Sequence, residues 1–224
     1  MLKRLLIGLL LLTTVFAGSI DTYKAASQVP EENIVADTNN KDITRGGSGD
    51  LCYEHVKNIK QTESYNCGPT TVLQSLYGMD SAGQVAGSTD EAKIATLEDA
   101  CKTSSAIGTY VYKMVEVLNE YNIYGRVYQY TLGSSFGSIH SFKNCIATSL
   151  TCGKPVVLHA DTYYLAYYNG NSYGHYLSLD VYDRRTETVR IVDCNYMTDY
   201  YGIHTVSVEE AYNCISASGR YLIH

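Results

Sequence analysis

Apolar residues recur at helical spacing through the first half of the folded region and at strand spacing through the second. Val72, Leu73 and Leu76 follow Cys67-Gly68-Pro69, which predicts a helix from Cys67 to about Gly78, with Pro69 in the first turn where its missing N–H costs nothing. Ser88 and Glu91 have capping-box spacing and predict a second helix ending near Cys101. Val111, Met114, Val115, Leu118 and Tyr121 form the stripe of a third, entered through Gly108-Thr109. Ile139, Phe142, Cys145, Ile146 and Leu150 place a fourth over Ser138 to Thr151, stopped by Gly153 and Pro155. Short strands are expected around Val56 and Ile59, and from Val127 to Leu132.

After Pro155 the period changes. Val156 to Ala160 reads as a buried strand, and His175 to Tyr182 as another. Asp183 to Thr186 forms the turn, and Val189 to Asp193 the return strand. Ser207 and Glu210 open a short helix, and Tyr221 to Ile223 closes the chain as a strand. Helices first and antiparallel strands second predict an α+β fold, a helical half packed on an antiparallel sheet half.

The region before the fold divides in two. Residues 1–17 read as a signal peptide: Lys3-Arg4, the apolar run Leu5 to Leu12, then Val15-Phe16-Ala17 with small residues at the positions a signal peptidase reads. Residues 18–50 are polar and end in a glycine-rich stretch, the composition of a flexible spacer or pro-segment. Residues 51–224 then form the folded domain. The protein is expected to be secreted, with no integral membrane domain in its mature chain.

Cleavage after Ala17 leaves 15 positive against 23 negative residues, a net charge of −8, which argues against nucleic acid as a partner. The aromatic content is 22 tyrosines, 3 phenylalanines and no tryptophan, so large rings come with a hydroxyl that must be wet or bonded. Neither a Cys-x-x-Cys nor a His-x-x-x-His pair occurs, so no metal is expected, and no phosphate-binding glycine loop points to a cofactor. Of the seven cysteines, one stands at a helix start; in an oxidising compartment the other six have the number for three disulfides.

That one is Cys67. A helix N-terminus favours thiolate over thiol. Gln61, six residues upstream, carries an amide able to donate to a developing oxyanion. A thiol nucleophile also needs a base and an orienting group. His175 begins a strand after Gly174, and Asp193 ends the paired strand, so a hairpin turning at 183–187 brings both to one end. His159 and His204 lie within strand-like runs and are weaker candidates for the base, and His55, His140 and His224 weaker still.

Gln61 with Cys67-Gly68-Pro69, Gly108-Thr109, Leu118-Asn119-Glu120-Tyr121, Gly153-Lys154-Pro155-Val156-Val157, Gly174-His175-Tyr176 and Val192-Asp193 together resemble the bacteriocin-leader-peptidase-like group of papain-like cysteine peptidases. The resemblance spans about 51 to 223. It implies a papain-like fold and a peptide or protein substrate, with Cys67 as nucleophile, His175 as base, Asp193 as orienter and Gln61 as oxyanion donor. Two departures stand out: Cys194 follows Asp193 where the group usually has proline, and the loop from Asp161 to Gly174 is long and tyrosine-rich. A second reading is a catalytically idle relative, an extracellular binding module presenting its tyrosine-rich loops.

Overall fold

In the computed structural model, which describes residues 51–217 and 219–224, a mixed sheet-and-helix domain follows the expected order. The signal-peptide and spacer readings lie outside the described residues. The elements are β1 (Leu51–Tyr53), α1 (Cys67–Gly78), α2 (Asp90–Cys101), α3 (Val111–Tyr121), β2 (Tyr130–Leu132), α4 (Ile139–Thr151), β3 (Val156–Asp161), β4 (Gly174–Asp183), β5 (Thr188–Asp193), β6 (Gly202–Ser207), α5 (Val208–Ser216) and β7 (Tyr221–Ile223). The strands form one antiparallel sheet in the order β2-β7-β3-β4-β5-β6, with β1 joining β4.

Strand alternation divides the interior into two cores, one on each face. Val156, Leu158 and Ala160 of β3 face Phe142, Ile146 and Leu150 of α4 and Ala211 and Ile215 of α5. Val157, between them in sequence, belongs with Leu73 and Leu76 of α1, Leu97 of α2 and Leu118 of α3. The helices are therefore shared between the faces, α1 to α3 on one and α4 and α5 on the other.

The differences from the sequence reading have local causes. Val56 and Ile59 form no strand. The Val56 N–H donates to the Asp180 carboxylate at 3.0 Å, and the Ile59 carbonyl accepts from Gln74 at 3.2 Å, so neither group is left for a ladder. Asp180 sits at a register shift in the β4–β5 pairing, where an irregular strand serves its neighbours instead. β2 starts at Tyr130 rather than Val127 because the Asn119 amide takes both backbone groups of Tyr128. The cap of α2 is Thr89, not Ser88: its hydroxyl accepts from the Ala92 N–H at 3.2 Å. The capping box at Ser207 and Glu210 is present as expected. β6 fills a segment to which the sequence pattern assigned no defined strand.

All seven cysteines are free thiols, so the disulfide framework is absent. Cys52 and Cys214 are buried in the core on the α4–α5 side and Cys101 in the core on the other, where each serves as a small apolar side chain.

Candidate active site

α1 is buried on almost every side, and its polar residues are anchored. Thr70 donates to the Asn66 carbonyl at 2.9 Å and Thr71 to the Cys67 carbonyl at 2.7 Å. Gln74 accepts from Ser178 of β4 at 2.8 Å. Buried bonds of this kind contribute about 1 kcal/mol each and would cost more if left unmade, so the helix start is held firmly against the sheet. Gly68 permits a second close approach: a Cβ there would lie 2.5 Å from the Thr109 hydroxyl. The Gly108-Thr109 loop thus packs directly on the first turn of α1.

Cys67 is the first residue of that turn and is half-buried. The preceding Asn66 does not cap α1. Its side chain is engaged elsewhere, accepting from the Glu63 N–H and donating to Thr62 and Glu98, and no acidic residue occupies the first turn. The positive end of the helix is therefore open toward the sulfur.

His175 is the second residue of β4, which starts one residue earlier than the sequence reading placed it, and Asp193 ends β5, so the antiparallel ladders set both at one end of the sheet. His175 Nε2 and Asp193 Oδ1 are 2.9 Å apart, and both side chains are buried. With Nε2 committed to the carboxylate, the remaining ring nitrogen is Nδ1, and the imidazole interacts with the sulfurs of both Cys67 and Cys194. Burial pushes the Cys67 thiol up, but the hydrogen bond and charge of His175, with the Tyr176 and Gly68 backbone, outweigh it and bring the thiol below its ordinary value. Burial likewise opposes the imidazolium, yet Asp193, Cys194 and Cys67 hold His175 well above the usual histidine range. Asp193 resists its own burial through His175, Tyr168 and the Asn195 N–H, and stays below the usual carboxylate range. All three directions favour thiolate, imidazolium and carboxylate together.

The second Asp193 oxygen carries bonds that sequence reasoning missed. Tyr168 donates to Oδ2 at 2.6 Å and Tyr167 at 3.1 Å, while the Asn195 N–H donates to Oδ1 at 2.8 Å. Asn195 in turn donates to the hydroxyls of Tyr168 and Tyr173, each at 3.1 Å. The tyrosine-rich loop between β3 and β4 thus covers the carboxylate. The available signal was the loop's position, ending directly before Gly174-His175.

Gln61 is buried beside the same site. Its backbone N–H donates to the Cys194 carbonyl at 2.7 Å, its side-chain Nε2 donates to the Glu63 carbonyl at 2.6 Å, and Oε1 lies 3.6 Å from the Cys194 sulfur. One Nε2 hydrogen remains. Cys194 sits below the first turn of α1, 3.8 Å from the Cys67 carbonyl, and burial raises its thiol. It remains a weakly acidic neighbour of the thiolate.

The other histidines are placed elsewhere. His204 stacks on Tyr167 and bonds the Tyr200 carbonyl. His224 bonds Thr131. His55 lies beside Arg190 and His140 beside Asn144, both exposed. His159 lines the cleft of about 490 Å³ that opens onto Cys67, together with Tyr65, Thr109, Tyr176 and Arg220.

The sequence matches the Peptidase_C39-like family over residues 53–220, which takes in every residue of the cluster just described. The chain belongs to that family. Two solved structures share its papain-like fold. A double glycine motif protease from an AMS/PCAT transporter, solved in complex with the leader peptide, is 14% identical, with a TM-score of 0.50 over 76% of this chain and 91% of its own. A fragment of Prevotella intermedia prointerpain A is 12% identical, with a TM-score of 0.51 over 79% of this chain and 72% of its own. No curated protein sequence matches the chain. Membership in the Peptidase_C39-like family supports a peptidase-type function, and among the described residues no helix is long and apolar enough to cross a membrane.

Proposed function

We propose that the protein is an exported cysteine peptidase in which Cys67, His175 and Asp193 form the catalytic triad and Gln61 donates to the oxyanion. The observation that carries this reading is that the His175 ring interacts with the Cys67 sulfur and is bonded to Asp193, at 2.9 Å for the latter, at the edge of an open cleft.

The chemistry follows from the groups. The Cys67 thiolate attacks the scissile carbonyl carbon, and the tetrahedral oxyanion takes hydrogen bonds from the free Nε2 hydrogen of Gln61 and from the Cys67 N–H, which as a first-turn donor has no partner within α1. His175 passes its Nδ1 proton to the leaving amine, and the C–N bond breaks to give a thioester. Water, deprotonated by the now neutral Nδ1, attacks that thioester and releases the acid and the thiolate. Asp193 keeps the ring in the tautomer that both steps need.

Residues 1–17 direct export and 18–50 form a spacer or pro-segment ahead of the domain at 51–224. The test is cleavage of an unbiased peptide mixture by the mature protein, read by mass spectrometry beside Cys67→Ala. New peptide termini from wild type alone support the reading. No cleavage by either, with no covalent capture of a peptidyl electrophile on Cys67, returns the protein to the class of binding modules.

A further inference from the structure

The cleft beside Cys67 contains a charge that the peptidase reaction does not use. Arg220 lies just before β7, and its guanidinium rests on Gly174, the residue preceding His175. A Cβ at Gly174 would meet Nη1 at 2.9 Å and Nη2 at 3.1 Å. A side chain there would displace the guanidinium, so the glycine of Gly174-His175 makes room for a cation next to the triad.

The partner of Arg220 is His159. Nη1 donates to His159 Nε2 at 3.1 Å, which puts the His159 proton on Nδ1. His159 is held between two rings directly across the strands, Tyr176 of β4 with centroids 4.5 Å apart and Tyr221 of β7 at 6.1 Å, both stacked. Burial, then the charges of Arg220 and His175, bring His159 down to about 4, so it is neutral near pH 7 and aligns the guanidinium without adding charge. Among the described residues no carboxylate forms an ion pair with Arg220. Its Nε and the His159 Nδ1 are buried without partners. A half-buried guanidinium that lines the cleft and has no counter-ion among the described residues is matched by an anion that arrives with the substrate. The exposed rings of Tyr110, Tyr112 and Tyr130 along the same cleft suit a peptide backbone and carry no competing charge.

We propose that Arg220, aligned by His159, is a specificity-determining residue that selects peptides presenting a carboxylate close to the scissile bond. The proposal rests on the peptidase reading for its setting. The carboxylate belongs either to an Asp or Glu side chain or to a substrate C-terminus. The recognition is the same, and the experiment separates the two sources.

Matched peptides are compared: an acidic residue near the cleavage site against its amide counterpart, and a free against an amidated C-terminus. Cleavage is followed with wild type, Arg220→Gln and Arg220→Lys. The quantity read is the ratio of kcat/KM for the acid over the neutral peptide, so a general loss of activity in a variant cancels. A charge-assisted hydrogen bond predicts a ratio of about 10 or more in wild type, near one in Arg220→Gln and intermediate in Arg220→Lys. The pair that shows the ratio identifies the source. A ratio near one in wild type, or the same ratio in Arg220→Gln, overturns the proposal while leaving the peptidase reading intact. The same peptides are also titrated by fluorescence anisotropy onto Cys67→Ala, with and without Arg220→Gln. If nothing is cleaved, the peptidase reading fails and this binding ratio decides: a tenfold preference lost with Arg220→Gln upholds carboxylate recognition, and no preference refutes it.

Discussion

His175 Nε2 lies 2.9 Å from Asp193 Oδ1, and that bond leaves Nδ1 as the ring nitrogen available to Cys67. Which nitrogen faces the thiol is thus fixed by where two strands of the sheet end. Removing groups along this line predicts graded losses. Cys67→Ala abolishes turnover and His175→Ala nearly does. Asp193→Asn is milder, because it disturbs orientation rather than removing a reacting group. Gln61→Ala lowers kcat by about 10²-fold, as loss of one oxyanion donor does. Steady-state kinetics on one cleaved peptide checks the order, and unchanged kcat in Gln61→Ala removes Gln61 from the oxyanion site.

The pH profile of kcat/KM is expected to be bell-shaped with a broad top. Cys67 ionises below its ordinary 9.0, and His175 keeps its proton above its ordinary 6.5. Both shifts favour the ion pair over the neutral pair that isolated groups would form between 6.5 and 9.0. The acid limb marks formation of the pair and the alkaline limb its loss, each a property of the coupled pair. A single rising limb centred near 9 would show an ordinary thiol.

Tyr168→Phe removes the 2.6 Å donor to Asp193 and leaves the ring in place. Hydrogen bonds to charged groups contribute about 1.5 kcal/mol or more, so kcat is expected to fall roughly tenfold with KM little changed. The sign for stability also follows. Asp193 is depressed in the folded state, so it stabilises the fold above the unfolded carboxylate value, and that contribution is lost as pH falls through the folded one. Without the Tyr168 donor the folded value rises toward the unfolded one. Acid unfolding then begins at higher pH in Tyr168→Phe than in wild type, as circular dichroism during acid titration will show.

Away from the site, Asp180 is fully buried and accepts from Arg190 Nε at 2.8 Å, Arg190 Nη2 at 2.6 Å and the Val56 N–H. Asp180→Ala strands a partly buried guanidinium and a backbone donor, at a cost of about 3 kcal/mol in urea unfolding. A loss under 1 kcal/mol would mean that water satisfies both groups.

Much of this fold is legible from periodicity. α1, α3, α4, β3, β4 and β5 fall where apolar spacing, Pro155 and the Asp183 turn put them, because local pattern and tertiary burial agree there. Illegible parts depend on partners distant in sequence. Val56 looks like a strand residue until the Asp180 carboxylate takes its N–H. Cys67, His175, Asp193 and Gln61 each have a local signature and are brought together. Tyr167, Tyr168 and Asn195 have none: an extra tyrosine in a loop looks the same whether it meets solvent or a buried carboxylate. Arg220 is equally silent, since only the fold lays it on Gly174. The paired-cysteine expectation counted residues without knowing that Cys101 and Cys214 lie on opposite faces of the sheet.

Whether His175 holds Cys67 as a thiolate near neutral pH is tested, without any substrate, by the rate of Cys67 alkylation by iodoacetamide as a function of pH. The adduct is located by peptide mapping, which separates Cys67 from the other six thiols. In wild type the rate is expected to stay high well below pH 9. In His175→Ala it is expected to fall steeply at neutral pH and to rise along an ordinary thiol titration. Coincident profiles, both climbing only near pH 9, would contradict that role for His175.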